Sequence, residues 1–222
     1  MPKFRAMLDK GEKSMYKSLK LHGSAKRESL SALTKKTLGS GNMRKAVELP
    51  ADEPDVNEWL AANTVDFFNE ISLLYGLVWD DAQRFTKPGE GFPPGFEYRW
   101  GGGPGQKPIR VSSVEYVDYV LTWVEDQLDN EDIFVVNAEV EFPEDFKSYI
   151  DDIFKRLFRV FAIMYHQHFD VFEEMEAVEH LNTCFKHFMY FSFHFDLIDE
   201  KEFGALEGPV QNLKAEYDAS AP

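Results

Sequence analysis

Residues 57–78, NEWLAANTVDFFNEISLLYGLV, place Leu60, Phe67, Phe68, Ile71, Leu74, Leu77 and Val78 at helical spacing, so this stretch reads as a long helix with a broad apolar face. Three further segments carry the same period. Over 113–129 the core face is Val117, Val120, Leu121, Val124 and Leu128, and Ser112 with Glu115 forms a capping box at its start. Pro143 opens a helix over roughly 144–169, and Leu181, Phe185, Phe188 and Phe191/Ser192 mark another over 177–195. A short helix is expected from Ser31 to Leu38, stopped by GSGN at 39–42, and a last short one capped by Asp199 and Glu202. Residues 79–111 are rich in Gly, Pro and aromatics, and GGGPG at 101–105 suits a hairpin between 96–100 and 107–111. It is no phosphate-binding loop, because no Gly-Lys-Ser/Thr follows it. The expected fold class is mostly α, a helical bundle with a small β-hairpin and no internal repeat.

The 222 residues suit one domain plus an extension, and 20 Phe supply a sizeable core. No run of about 18 apolar residues implies a membrane span. The start, MPKFRAMLDKGEKS, lacks the apolar region of a secretory signal. The single cysteine, Cys184, excludes an internal disulfide, fits a reducing compartment, and reads as a small apolar filler rather than a nucleophile. Charge divides the chain. Residues 1–45 hold 12 Lys/Arg and 3 Asp/Glu, whereas the rest holds 12 Lys/Arg and 36 Asp/Glu. A body of that sign repels nucleic acid and favours basic partners. Three units follow: a flexible basic arm over 1–30, a helical domain over 31–215 and a disordered tail over 216–222.

Residues 153–169, IFKRLFRVFAIMYHQHF, contain no acid. On a helix Lys155, Arg156 and Arg159 share one patch, while Phe154, Leu157, Phe158 and Phe161 cover the apolar side. Such a patch suits a phosphoresidue, because Arg offers a planar fork and Lys a point charge. A solvated basic face paired with acids elsewhere in the fold is the alternative. A metal reading is weak, since His166 and His168 sit two residues apart and point to different sides of a helix. No Ser–His–Asp or paired-carboxylate arrangement stands out among 39 acids, so no enzyme is indicated.

Several strings resemble the Mob family of kinase activators: TLGSGNMRKAVELP at 37–50, NEWLAANTVDFFNEISLLYG at 57–76, FEYRW at 96–100, YVDYVLTWVEDQLDNEDIF at 116–134, FKRLFRVFAIMYHQHFD at 154–170, HLNTCFKHF at 180–188 and FDLIDEKEFGALEGPV at 195–210. The resemblance covers roughly residues 31–210. It implies a Mob/phocein-like bundle that acts as an adaptor, not an enzyme. Such adaptors bind the basic N-terminal regulatory region of NDR/LATS-type AGC kinases and phosphorylated segments of upstream Hippo-like kinases. The setting implied is cell division, mitotic exit, cytokinesis and growth control, in the cytoplasm, the nucleus or at spindle-pole or centrosome-like structures. A monomer is expected. The alternative is a phocein-like scaffold in a phosphatase-containing assembly, without kinase activation.

The resemblance places phosphopeptide binding on Lys155, Arg156 and Arg159. It places kinase binding on Glu58, Trp59, Asp66 and Glu70, with His187 from the later helix, and expects a solvent-facing stripe there. It makes Thr37 an activating phosphorylation site, next to an arm expected to dock on the acidic body. Typical members also hold a structural zinc through two Cys and two His. The matching positions here are Ala82, Lys87, Ile163 and His168, so three of the four ligands are missing and neither metal nor cofactor is expected. The loop is then expected to be held by Trp79, Phe85, Phe92 and Phe96.

Overall fold

The computed structural model describes residues 30, 41–51, 53, 55–101, 107–137 and 139–220. Of the basic arm only Leu30 falls within these, and it is buried. Thr37 lies outside the described residues, as do 221–222 of the tail. Chain order runs α1 (Met43–Val47), α2 (Val56–Leu77), α3 (Trp79–Ala82), β1 (Arg99–Trp100), β2 (Ile109–Arg110), α4 (Ser113–Leu128), α5 (Phe146–Gln167), α6 (Phe169–Glu174), α7 (Val178–Phe195), a 3₁₀ helix (Glu200–Leu206) and α8 (Glu207–Ala219). The fold is thus a mostly helical bundle with a two-stranded sheet. No helix among the described residues is long and apolar enough to cross a membrane.

The apolar period of α2 makes it the central element. Asp55 starts it by accepting hydrogen bonds from the Asn57 and Glu58 amides. From Glu58 to Leu77 only Asp66, Asn69, Glu70, Leu73 and Gly76 reach solvent even in part. Inside such a helix, polar side chains must find partners locally. The Asn63 amide donates to the Trp59 carbonyl (2.9 Å) and the Thr64 hydroxyl to the Leu60 carbonyl (2.7 Å). α5 and α7 pack against α2 through rings. Phe67 meets Phe154, Phe188 and Phe191 edge-on with centroids 5.4–5.7 Å apart, and Phe154 stacks on Phe188 at 4.9 Å.

α4 forms where its pattern puts it, with both halves of the capping box made: Glu115 N to Ser112 Oγ at 3.3 Å and Ser112 N to Glu115 Oε2 at 2.8 Å. The hairpin pairs Arg99 with Arg110 and Trp100 with Ile109, antiparallel, in strands of two residues rather than five. Glu97 closes it by accepting three bonds from Arg110, at 2.8–3.0 Å.

Five expectations are corrected. The long helix does not reach residue 169; α5 stops at Gln167 and α6 restarts at Phe169, because His168 leaves the helical path to meet Asp81. The last helix is longer than expected and is two pieces, with α8 running to Ala219. Residues 216–219, expected as tail, are therefore helical, held by buried Tyr217, whose hydroxyl pairs with His194 Nδ1 at 3.0 Å. Asp199 does cap the 3₁₀ helix through the Lys201 amide, but Glu202 does not; its carboxylate bonds Arg159. Phe96 does not anchor the loop by burial, being 40% exposed, whereas Phe92 is buried against Tyr98 and Tyr116.

Replacing Phe67 with Ala removes the ring common to all three central helices. We expect a loss of about 3–5 kcal/mol in urea unfolding, with the helical spectrum at low urea retained. A loss below about 1 kcal/mol would show that the contact is not central.

Candidate functional site

The three cations of α5 lie on the side of the helix away from Phe154 and Phe161, but they are not equivalent. Lys155 forms an ion pair with Asp152 one turn back, with its side chain 34% exposed and that of Asp152 50%. Arg156 has no hydrogen bond or ion pair with any described residue. Its guanidinium lies over two indoles, 4.8 Å from the Trp100 ring centroid on β1 and 4.5 Å from that of Trp123 on α4. Its buried Nε finds no acceptor, and burial pulls its pKa below the ordinary arginine value.

Arg159 is the most enclosed of the three. Its Nη2 donates to Glu202 Oε2 at 2.7 Å, its Nη1 to the Tyr116 hydroxyl at 3.3 Å, and it sits 5.1 Å from the Tyr98 ring. Burial opposes its charge, but Tyr116 and Glu202 outweigh that and raise its pKa. Burial likewise pushes the Tyr116 and Tyr98 hydroxyls up, so both stay protonated. Acids therefore pair with two cations of the three. Asp152 lies just outside the acid-free stretch, and Glu202 arrives from 43 residues away. A cleft of about 670 Å³ opens beside Lys155 and Glu202, lined also by Lys147, Asp152, Lys201 and Asp199. Sequence reasoning missed Trp100, Trp123, Tyr98 and Tyr116 as parts of this site, because each also reads as an ordinary core aromatic.

The second expected surface is divided by burial. Asp66 and Glu70 lie on the half-exposed stripe of α2, beside exposed Leu73. Glu58 is buried in the first turn, where the helix dipole favours a carboxylate. Trp59 is 1% exposed and its indole N–H donates to the Val47 carbonyl at 3.2 Å. His187 is 4% exposed and packs 4.7 Å from the Phe67 ring. A fully solvent-facing stripe is therefore not what α2 presents: Trp59 holds α1 in place, and His187 belongs to the core. Cys184 is buried on α7 and its thiol donates to Glu70 Oε2 at 3.3 Å. Burial raises the thiol pKa well above normal, which leaves no reactive thiolate.

The positions matched to a structural zinc do not fit that ion. Ala82 and Ile163 are buried and carry no donor, and Lys87 points to solvent beside Glu90. His168 is buried with Nδ1 2.7 Å from Asp81 Oδ2, and its Nε2 finds no partner among the described residues. Burial lowers its pKa against the pull of Asp81. No group of three or more His, Cys, Asp and Glu among the described residues could hold a metal. Direct bonds span the gap. Arg84 Nη2 donates to the Gln167 carbonyl (2.6 Å), Gln167 Nε2 to the Phe92 carbonyl (2.7 Å), and Gly89 N to the Val111 carbonyl (2.8 Å). His166 takes no part; it bonds the Ala205 carbonyl at 2.7 Å.

Comparison with known proteins agrees with the architecture. A family model described as the Mob1/phocein family matches residues 35–206. MOB kinase activator-like 1A of Arabidopsis thaliana is 47% identical over 182 residues, 82% of this chain and 84% of that protein. MOB kinase activator-like 1 homolog B of Dictyostelium discoideum is 48% identical over 189 residues, 85% of this chain and 87% of that protein.

Burial alone depresses the His187 pKa to about 4. The unfolded chain titrates this group near 6.5, so between those values it binds a proton that the folded chain refuses. Stability contributed by the neutral ring is complete above pH 6.5 and falls as pH drops towards 4, by about 3 kcal/mol in all. We expect His187→Phe to flatten this part of the stability–pH curve, measured by urea unfolding from pH 7 to 4.5. Parallel curves for the two proteins would refute the assignment.

Proposed function

The chain belongs to the Mob1/phocein family, and from that premise we propose that it is a kinase co-activator, an adaptor without catalysis of its own. Its acidic body receives the basic N-terminal regulatory region of an NDR/LATS-type kinase, and its α5 cations receive a phosphorylated segment of an upstream, Hippo-like kinase. The relatives named as MOB kinase activators support the first half. The charge balance of residues 46–222 supports it too, with 36 acids against 12 basic residues.

Arg156 carries the second half. An arginine fixed between Trp100 and Trp123, with no carboxylate partner among the described residues, keeps its donors for a guest. A phosphoresidue suits it, having about −1.5 to −2 charge and three acceptor oxygens. Asp66 and Glu70, on the hydrated stripe of α2, are the acids we assign to the kinase; Trp59 and His187 support that surface from beneath. The cellular setting we assign is cell division or growth control, in the cytoplasm, the nucleus or at the spindle pole.

The test is a pair of binding measurements. Arg156→Ala should weaken a phosphothreonine peptide about tenfold or more, the worth of one charge-assisted contact, with unphosphorylated peptide weak throughout. The same variant should retain a kinase N-terminal segment, and Asp66→Lys should lose the kinase while keeping the phosphopeptide. Equal titration curves for phosphorylated and unphosphorylated peptides would overturn the phosphate half. Recovery of a phosphatase scaffold in place of a kinase would overturn the other.

A further inference from the structure

We propose that Glu202 is an internal ligand of the phosphate site: its carboxylate occupies Arg159 in the unliganded protein, and an incoming phosphoresidue must displace it. This rests on the phosphate reading above and extends it to what sets the site's affinity.

Geometry carries the argument. Glu202 Oε2 accepts from Arg159 Nη2 at 2.7 Å, in the place an anionic oxygen of a guest would take. The two side chains are 22% and 20% exposed, so their attraction is less screened than that of a surface pair. Glu202 is held in reach by its backbone. Asp199 caps the Lys201 amide, Ala205 accepts from His166, and Phe203 packs on Phe158 with centroids 5.6 Å apart. A tethered carboxylate acts at a high effective concentration and competes with every anion that approaches.

Displacement needs only a side-chain turn. The cleft beside Lys155 is lined by Glu202 itself and offers room for the released carboxylate. Arg159 does not collapse when Glu202 leaves, because Tyr116 bonds its other terminal nitrogen and Tyr98 lies beneath it. The guest thus meets an oriented fork. A peptide carboxylate would trade one carboxylate for another and lose to the tethered one. A phosphate brings more charge and reaches Arg156 and Arg159 together, so it can win. Glu202 therefore acts as a threshold that weak anions do not pass.

The experiment titrates N-acetyl phosphothreonine methylamide, and acetate separately, into wild type and the variants Glu202→Gln and Glu202→Ala. Shifts of the Trp100 and Trp123 indole N–H signals report occupancy beside Arg156. Urea unfolding shows which variants are folded, and two variants guard against one failing to fold. We expect the phosphate probe to tighten about five- to thirtyfold in a folded Glu202 variant, the range of a partly buried charged contact. Acetate should become detectable where wild type shows none. Unchanged affinity, or weaker binding as expected if Glu202 only positions Arg159, would overturn the proposal while leaving the phosphate reading intact. Absence of saturable phosphate binding in every protein would overturn both.

Discussion

The ring contact among α2, α5 and α7 is the constraint on which the rest depends. Phe67 lies against Phe154, Phe188 and Phe191, and once those rings are in register the rotation of α5 is set. Each buried ring contributes on the order of 1.5–3 kcal/mol, so α5 cannot turn by a residue without a large loss. Fixing its apolar face fixes its opposite face. Lys155, Arg156 and Arg159 are thereby held between the hairpin, α4 and the 3₁₀ helix, and the core decides where the cations stand.

At that place each cation is treated differently by its neighbours. Water screens the pair of Lys155 with Asp152, two indoles hold Arg156 without neutralising it, and a phenol and a carboxylate enclose Arg159. Aromatic support orders a guanidinium while leaving its edge donors available, which carboxylate support does not. The same economy of direct contacts appears around Ala82, Ile163 and His168, the positions that the resemblance matched to a zinc site. There a histidine–aspartate bond and side chains reaching backbone carbonyls tie residues 81–92 to the end of α5.

Much of this was legible in the sequence. Helical period placed α2, α4, α5 and α7 to within two residues at most ends, and the capping box at Ser112 marked its helix start directly. Period reports which residues share a face, not what covers that face. Trp59, Asp66 and Glu70 share a side of α2, yet α1 covers the first and solvent reaches the others. The break at His168 was invisible because its cause, Asp81, lies 87 residues earlier. Glu202 read as a cap for a similar reason. Locally it resembles one, and only the approach of the 3₁₀ helix to α5 gives it Arg159 instead. The α8 pattern was too polar to announce itself, and its burial rests on Val210 and Tyr217 with Leu213 partly buried beside them.

Arg44 and Tyr217 hold α1 to the last helix, the guanidinium 3.8 Å from the ring centroid and bonded to the Tyr217 carbonyl at 2.6 Å across 173 residues. A ribosome adds about 5–20 residues per second, so α1 waits on the order of ten seconds or more for that partner to be made. Through that interval α1 has no finished seat. Its fate before release lies with whatever meets the nascent chain first.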